Sequence, residues 1–347
     1  RAPVRERIWI NYARLMNPQN DAADYTRSPS AASQALHAAP RLADVPSECA
    51  GMRLDRVLAQ LFPEYSRSRL QAWVRQARVT VEGRACTASA KVWGGERIRL
   101  IPDLDPADAA APEDIPLAVV HEDQALIVID KPAGLVVHPG SGNRAGTLMN
   151  ALLHRAPELG VLPRAGIVHR LDKDTSGLLV VARTLAAQTS LVRQLQARTV
   201  RRTYLALVVG TPAGAGKIEA PIGRHPQQRT KMAVVASGRP AVTYYRVLEH
   251  GTGWSLVECR LETGRTHQIR VHMAHIGHAL LGDPVYLPRQ VLRTLPAATR
   301  SFPRQALHAT ALALEHPADG CSHEWHSSMP ADMRDLLGSL KHDAPPR

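Results

Sequence analysis

Scarcities narrow what this chain can be before any motif is read. Aromatic residues make up 4% of it, and no apolar run approaches the ~20 residues of a membrane-spanning helix. A basic protein held on a membrane surface would need an amphipathic helix with a bulky apolar face, for which so few aromatics are a poor supply. The four cysteines (Cys49, Cys86, Cys259, Cys321) include no close pair, which argues against a zinc site or a disulfide framework and fits a reducing cytosol. The first 47 residues lack the apolar core of a signal peptide. Negative charge is also short: 31 acids face 43 lysines and arginines, a formal +12. That excess points to a polyanion, and nucleic acid is the first candidate.

The 347 residues suffice for two domains, and 44% apolar content for a sizeable core. Residues 1–47 read as a disordered extension, rich in Ala, Ser, Asn, Pro and Arg and without apolar period; Met16 within it marks an alternative start. Residues 48–101 form the first expected domain. Leu54, Val57, Leu58 and Leu61 are at helical spacing and Pro63 closes the helix; Ser66 caps a second helix bearing Leu70, Trp73 and Val74. Short strands follow near residues 79–84 and 96–100, and the polar face is largely Arg53, Arg56, Arg67, Arg69, Arg75 and Arg78. Residues 102–116, with four prolines and no Lys or Arg, read as a linker. Residues 117–347 alternate strands and helices without repeat, as expected of an α+β domain with a mixed sheet flanked by helices and loops. Strands are predicted over residues 117–120, 125–129, 178–182, 204–209, 241–248, 255–261 and 307–314.

Three motifs attract attention and fail. Gly140, Gly142 and Gly146 resemble a phosphate loop, but no Gly-Lys-Ser/Thr follows. His267, His272, His275 and His278 have ligand-like spacing without a carboxylate among them, so packing or RNA backbone contact is the commoner use. Asp172, Asp174 and Thr175 suggest an aspartyl phosphotransferase, but there the nucleophile ends an apolar strand, whereas here the apolar strand follows the motif.

Residues 169–177, His-Arg-Leu-Asp-Lys-Asp-Thr-Ser-Gly, pack a histidine, two carboxylates, two cations and two hydroxyls before that strand. This stretch is similar to the signature loop of the RluA family of RNA pseudouridine synthases. Residues 131–139 (Lys-Pro-Ala-Gly-Leu-Val-Val-His-Pro), 202–206 (Arg-Thr-Tyr-Leu-Ala) and 261–272 (Leu-Glu-Thr-Gly-Arg-Thr-His-Gln-Ile-Arg-Val-His) match three further family motifs in order. The residues near 224–226, 232–234 and 306–310 look closest to the RluD-type, large-subunit branch, and residues 48–101 resemble the alpha-L RNA-binding module.

The resemblance implies a pseudouridine synthase fold and isomerisation of uridine to pseudouridine in large-subunit (23S) ribosomal RNA, at several uridines of one stem-loop. It implies no cofactor, no metal and no membrane partner, in a cytoplasmic monomer whose partner is ribosomal RNA. Asp172 is the expected nucleophile or base, Arg265 its ion-pair partner, and Tyr204 the face against the uracil. Arg170 is expected as the wedge replacing the extruded base, with His169, Arg53, Arg67, Arg69, Arg75 and Arg78 as further RNA contacts. Asp174 is expected to brace the loop through backbone N–H groups. The rival reading is a non-catalytic ribosome-assembly factor on the same scaffold.

Overall fold

The computed structural model describes residues 40–342 apart from 63–64, 66, 103–110, 141–142, 229–230 and 296. The expected caps at Pro63 and Ser66 therefore lie outside the described residues, as do most of the linker and of the N-terminal extension. Strand β1 (Arg41–Asp44) corrects the latter: it falls within residues 1–47, yet pairs antiparallel with β4 (Arg97–Leu100). Its partner strand alternates exposed Arg97 and Arg99 with buried Ile98 and Leu100, so pairing is what gives the largely exposed Arg41–Asp44 segment its place.

Helices α1 (Leu54–Leu61) and α2 (Arg67–Arg75) pack on this small sheet, which also contains β2 (Val79–Val81) and β3 (Arg84–Ala85). Leu54, Val57, Leu58, Leu70, Trp73, Val79, Ile98 and Leu100 form its own core, so the helical spacing read from the sequence marks the buried faces.

The second unit is built on a nine-stranded sheet. In chain order its members are β5 (Ala118–Glu122), β6 (Leu126–Lys131), β7 (Ser176–Ala182), β8 (Arg201–Val209), β9 (Ala215–Glu219), β12 (Val242–Gly251), β13 (Trp254–Leu261), β14 (Leu307–Glu315) and β15 (Ser322–His326). A separate hairpin joins β10 (Ile222–Arg224) to β11 (Met232–Val234). Across the large sheet the order is β5-β6-β7-β14-β8-β13-β12-β9, with β15 on β14, and only the β7–β14 pairing is parallel. Helices α3 (Leu148–Arg155), α4 (Leu185–Ala197), α5 (Gln268–His275), α6 (Arg289–Thr294), α7 (Ala297–Ser301) and α8 (Ala331–His342) flank it. The fold is α+β, as expected.

Two features of the centre position the site. Every residue of β7 is buried, as a strand covered on both faces must be. Its second residue, Gly177, has φ +111°, and a Cβ there would stand 2.3 Å from the Ala309 carbonyl oxygen of β14. Only glycine lets the two central strands approach, which is why the signature loop ends on one.

Candidate active site

The loop from Asp172 to Thr175 is tied down from several sides. The Thr175 amide donates to the Asp172 carbonyl at 3.1 Å, closing a tight turn. Lys131 is fully buried and its ammonium donates to the carbonyls of Pro132 (2.7 Å), Leu135 (2.9 Å) and Lys173 (2.9 Å). Burial brings the Lys131 pKa down to about 8, against the pull of the nearby Asp174 and Asp172 charges. Arg304, chelated by Asp332 through two bonds of 2.6 and 2.9 Å, donates to the Asp174 carbonyl at 3.1 Å. Gln305 reaches the Thr175 hydroxyl. Two buried cations thus hold consecutive loop carbonyls. Asp174 braces the loop through its main-chain oxygen, where the sequence led us to expect its carboxylate.

The Asp172 carboxylate is mostly enclosed and meets Arg270 Nη1 at 3.1 Å. This corrects the expected pairing. Arg265 lies before helix α5, where its Nε donates to the Pro240 carbonyl, while Arg270 projects from the helix itself. Asp283, fully buried, grips Arg270 through bonds of 2.7 and 3.0 Å, and the Tyr286 ring lies 5.1 Å from the guanidinium carbon. Burial opposes the Arg270 charge, but the two aspartates more than offset this and raise its pKa. The fork is fixed before substrate arrives, and its third arm meets Asp172.

His267 completes the carboxylate's surroundings, with Nε2 3.9 Å from Asp172 Oδ1. The Met232 amide donates to the Tyr286 hydroxyl, whose own hydrogen is free for His267 Nδ1 at 2.8 Å. That chain leaves the imidazole N–H on Nε2, facing Asp172. Burial keeps the His267 pKa below its ordinary value, so the ring is neutral.

Tyr204 stands on β8, between Cys259 of β13 and Ala309 of β14, and is buried. Burial, with the Asp172 charge adding to it, raises its pKa and keeps the phenol protonated. Beside it Arg202 is 8% exposed, and its Nε has no hydrogen-bond partner among the described residues. Asp172, Tyr204, Arg202, Arg265, His267 and Arg270 all line one cleft of about 930 Å³, with Arg164, Arg170 and Arg198 around it. Asp172 and Glu262 are the acids in its wall, so the cleft is strongly positive.

The remaining expected contacts divide. Arg170 is exposed in the cleft wall. His169 also lines the cleft, but its Nε2 accepts the Val180 amide at 3.0 Å, and burial takes its pKa down to about 3. It is a strut between loop and strand β7, not an RNA cation. Arg53 and Arg67 are half-exposed and both bind the buried Asp55 carboxylate, at 3.2 and 2.8 Å. Arg69 lines the catalytic cleft itself, and Arg75 is exposed at the end of α2. Among the four histidines set aside as metal ligands, His272 and His278 are spent on packing bonds to Thr243, Ala220 and Val209.

Sequence reasoning missed Lys131, His267, Arg270 and Asp283. A signal for two of them was present: positions 267 and 270 are three apart at the start of a helix and so share a face.

The chain resembles known proteins over both of its units. The family described as RNA pseudouridylate synthase matches residues 125–275, and the S4 domain matches residues 52–98. The chain is 54% identical over 332 residues to ribosomal large subunit pseudouridine synthase D of Nitrosomonas europaea, covering 95% of this chain and 96% of that one. It is 52% identical to the protein of the same name from Pseudomonas aeruginosa, covering 87% and 96%. Among solved structures, human RNA pseudouridylate synthase domain containing 1 superposes with a TM-score of 0.51 at 27% identity, over 68% of this chain and 98% of that one.

Proposed function

The chain belongs to the RNA pseudouridylate synthase family, and from that membership we propose that it converts uridine to pseudouridine in large-subunit ribosomal RNA. Isomerisation breaks the bond from N1 of the base to C1′ of the ribose. The base then turns, C5 bonds to C1′, the C5 proton passes to solvent and N1 takes up a proton in its place, so the atoms balance. Nothing is oxidised or reduced overall. The observation that carries the reading is the Asp172 carboxylate, pre-set against an immobilised Arg270 beside Tyr204 in a positive cleft.

Asp172 starts the reaction. Whether the base, C1′ or a ribose proton meets it first, it acts as the carboxylate, and Arg270 compensates that charge. Tyr204 offers its ring to the uracil face and its protonated hydroxyl to the base. A target uridine must leave its stack, at a cost of a few kcal/mol, roughly. Arg170 fills the vacated space, and Arg202, Arg265 and the Arg69 side of the N-terminal module hold the displaced strand. The relatives' names support the ribosomal substrate; we further propose several uridines of one stem-loop, a cytoplasmic location and a monomer. Among the described residues no helix is long and apolar enough to cross a membrane.

Tritium release from C5-labelled uridine in ribosomal RNA tests it. Asp172→Asn is expected to abolish release while RNA binding persists. Release at the wild-type rate would overturn the assignment, and release by neither protein would favour an assembly factor. Pseudouridine mapping in ribosomal RNA from a deletion strain identifies the positions.

A further inference from the structure

The turn between β14 and β15 holds a side-chain cluster that RNA chemistry does not use. We propose that it is a zinc-class divalent metal site, with His316 Nδ1, the Asp319 carboxylate and His323 Nε2 as ligands and solvent in the fourth position. None of these residues lines the catalytic cleft. The three ligand atoms lie within 4.8 Å of one another. His323 Nε2 is 3.1 Å from Asp319 Oδ2, and His316 Nδ1 is 3.7 Å from Asp319 Oδ1. Metal–ligand bonds of 2.0–2.2 Å in a tetrahedron put neighbouring ligand atoms about 3.3 Å apart, and each imidazole lies near that distance from one oxygen of Asp319, His323 from Oδ2 and His316 from Oδ1.

The protonation pattern suits the role. His316 is 6% exposed, and its Nε2 meets Asp123 Oδ2 at 2.9 Å, while its Nδ1 accepts the Ala318 amide at the long distance of 3.3 Å. The proton therefore sits on Nε2, and the Nδ1 lone pair, held only by the long bond from Ala318, lies 3.7 Å from Asp319 Oδ1. Asp123 is fixed in turn by the amides of Ala125 (2.6 Å) and Leu126 (2.9 Å) and by His121 Nε2 (2.8 Å). A carboxylate behind the protonated nitrogen of a histidine is the arrangement that orients metal-binding imidazoles, and an ion would displace the long Ala318 bond at the other nitrogen.

The turn itself is closed by Gly320 donating to His316 (2.9 Å) and His316 to Cys321 (2.7 Å), and Trp325 stacks on His323 with ring centres 5.8 Å apart. Cys321 Sγ is turned to the Asp319 carbonyl at 3.9 Å. Asp319 and His323 are 48% and 36% exposed, which leaves an open path for an ion. Two imidazoles and one carboxylate suit zinc and its neighbours, not calcium or magnesium, which take oxygen ligands. Bound there, the ion ties the β14–β15 turn through His316 and Asp123 to the β5–β6 turn.

The experiment titrates Zn²⁺ into the full-length chain after chelator treatment and dialysis, in competition with a chromophoric chelator. Wild type is expected to take up one equivalent. His323→Ala and Asp319→Ala, both at exposed positions, are expected to weaken that equivalent by more than the roughly 10- to 100-fold that loss of a supporting partner costs. Metal-free pseudouridine formation by both variants should equal wild type, which confirms their fold and keeps this test separate from that of Asp172. Co²⁺ should give the visible absorption of a four-coordinate ion in wild type and not in His323→Ala. Retention of the equivalent by the double variant, or no saturable uptake by wild type, overturns the site.

Discussion

At the residue scale the two arginines of the last motif have different work. Arg270 is a fork held by Asp283 with its remaining arm on Asp172, so a flexible point charge cannot replace it. Arg270→Lys is expected to lower kcat by ~100-fold or more with little change in KM for RNA. Arg265→Ala, in the cleft wall but away from the Asp172 pair, should chiefly raise KM. Equal kcat losses in the two variants would refute the division. The resemblance located the motif but placed the ion pair on its first arginine, because helix α5, which carries Arg270 inward, and the distant Asp283 are matters of packing. His169 gives a prediction in pH. Its pKa falls from 6.5 in the unfolded chain to about 3 in the folded one, so between those values the unfolded chain binds the additional proton. Stability is then fully present above pH 6.5 and is lost as pH falls towards 3. His169→Gln keeps an acceptor for Val180 without titrating, and denaturant melts should show a shallower acid slope; an unchanged slope would exclude the strut.

At the element scale, strongly patterned segments were legible. The apolar run after the signature loop is β7, and the Leu54/Val57/Leu58 and Leu70/Trp73/Val74 periods are the inner faces of α1 and α2. Strands β1, β9 and β15 were not, because each is short and largely exposed, with no sustained apolar alternation, and pairing decides it rather than its own composition. Nor could spacing reveal that β7 and β14 run parallel, since that pairing joins residues 176–177 to 308–309. The glycine at that junction carries the consequence. Gly177→Ala must move β14 or adopt an unfavourable φ, and is expected to cost about 2–4 kcal/mol of stability in denaturant melts, with activity falling as Asp172 shifts. A variant as stable as wild type would show that the strands tolerate separation.

At the scale of the whole molecule the question is what a separate basic module does for a site that lies in the other domain. The two units have separate hydrophobic cores, so each has its own reason to fold. Asp55 shows how the module is specialised: a buried carboxylate, paired with Arg53 and Arg67 and hydrogen-bonded by Gln71, holds two arginines half-exposed on one face. These partners outweigh burial and bring its pKa down to about 2, so the arrangement survives at any pH where RNA is handled. Arg69 of the same helix reaches the wall of the catalytic cleft, and the proposed path of the RNA strand runs from the module to Asp172. Removing residues 1–101 should therefore leave a folded catalytic domain with near-native circular dichroism. Its affinity for ribosomal RNA should drop, and the dependence of log K on log salt should flatten by about 0.7–0.9 for each phosphate that the module neutralises. An unchanged salt slope would mean that the module touches no phosphate, and that its arginines serve only to hold Asp55.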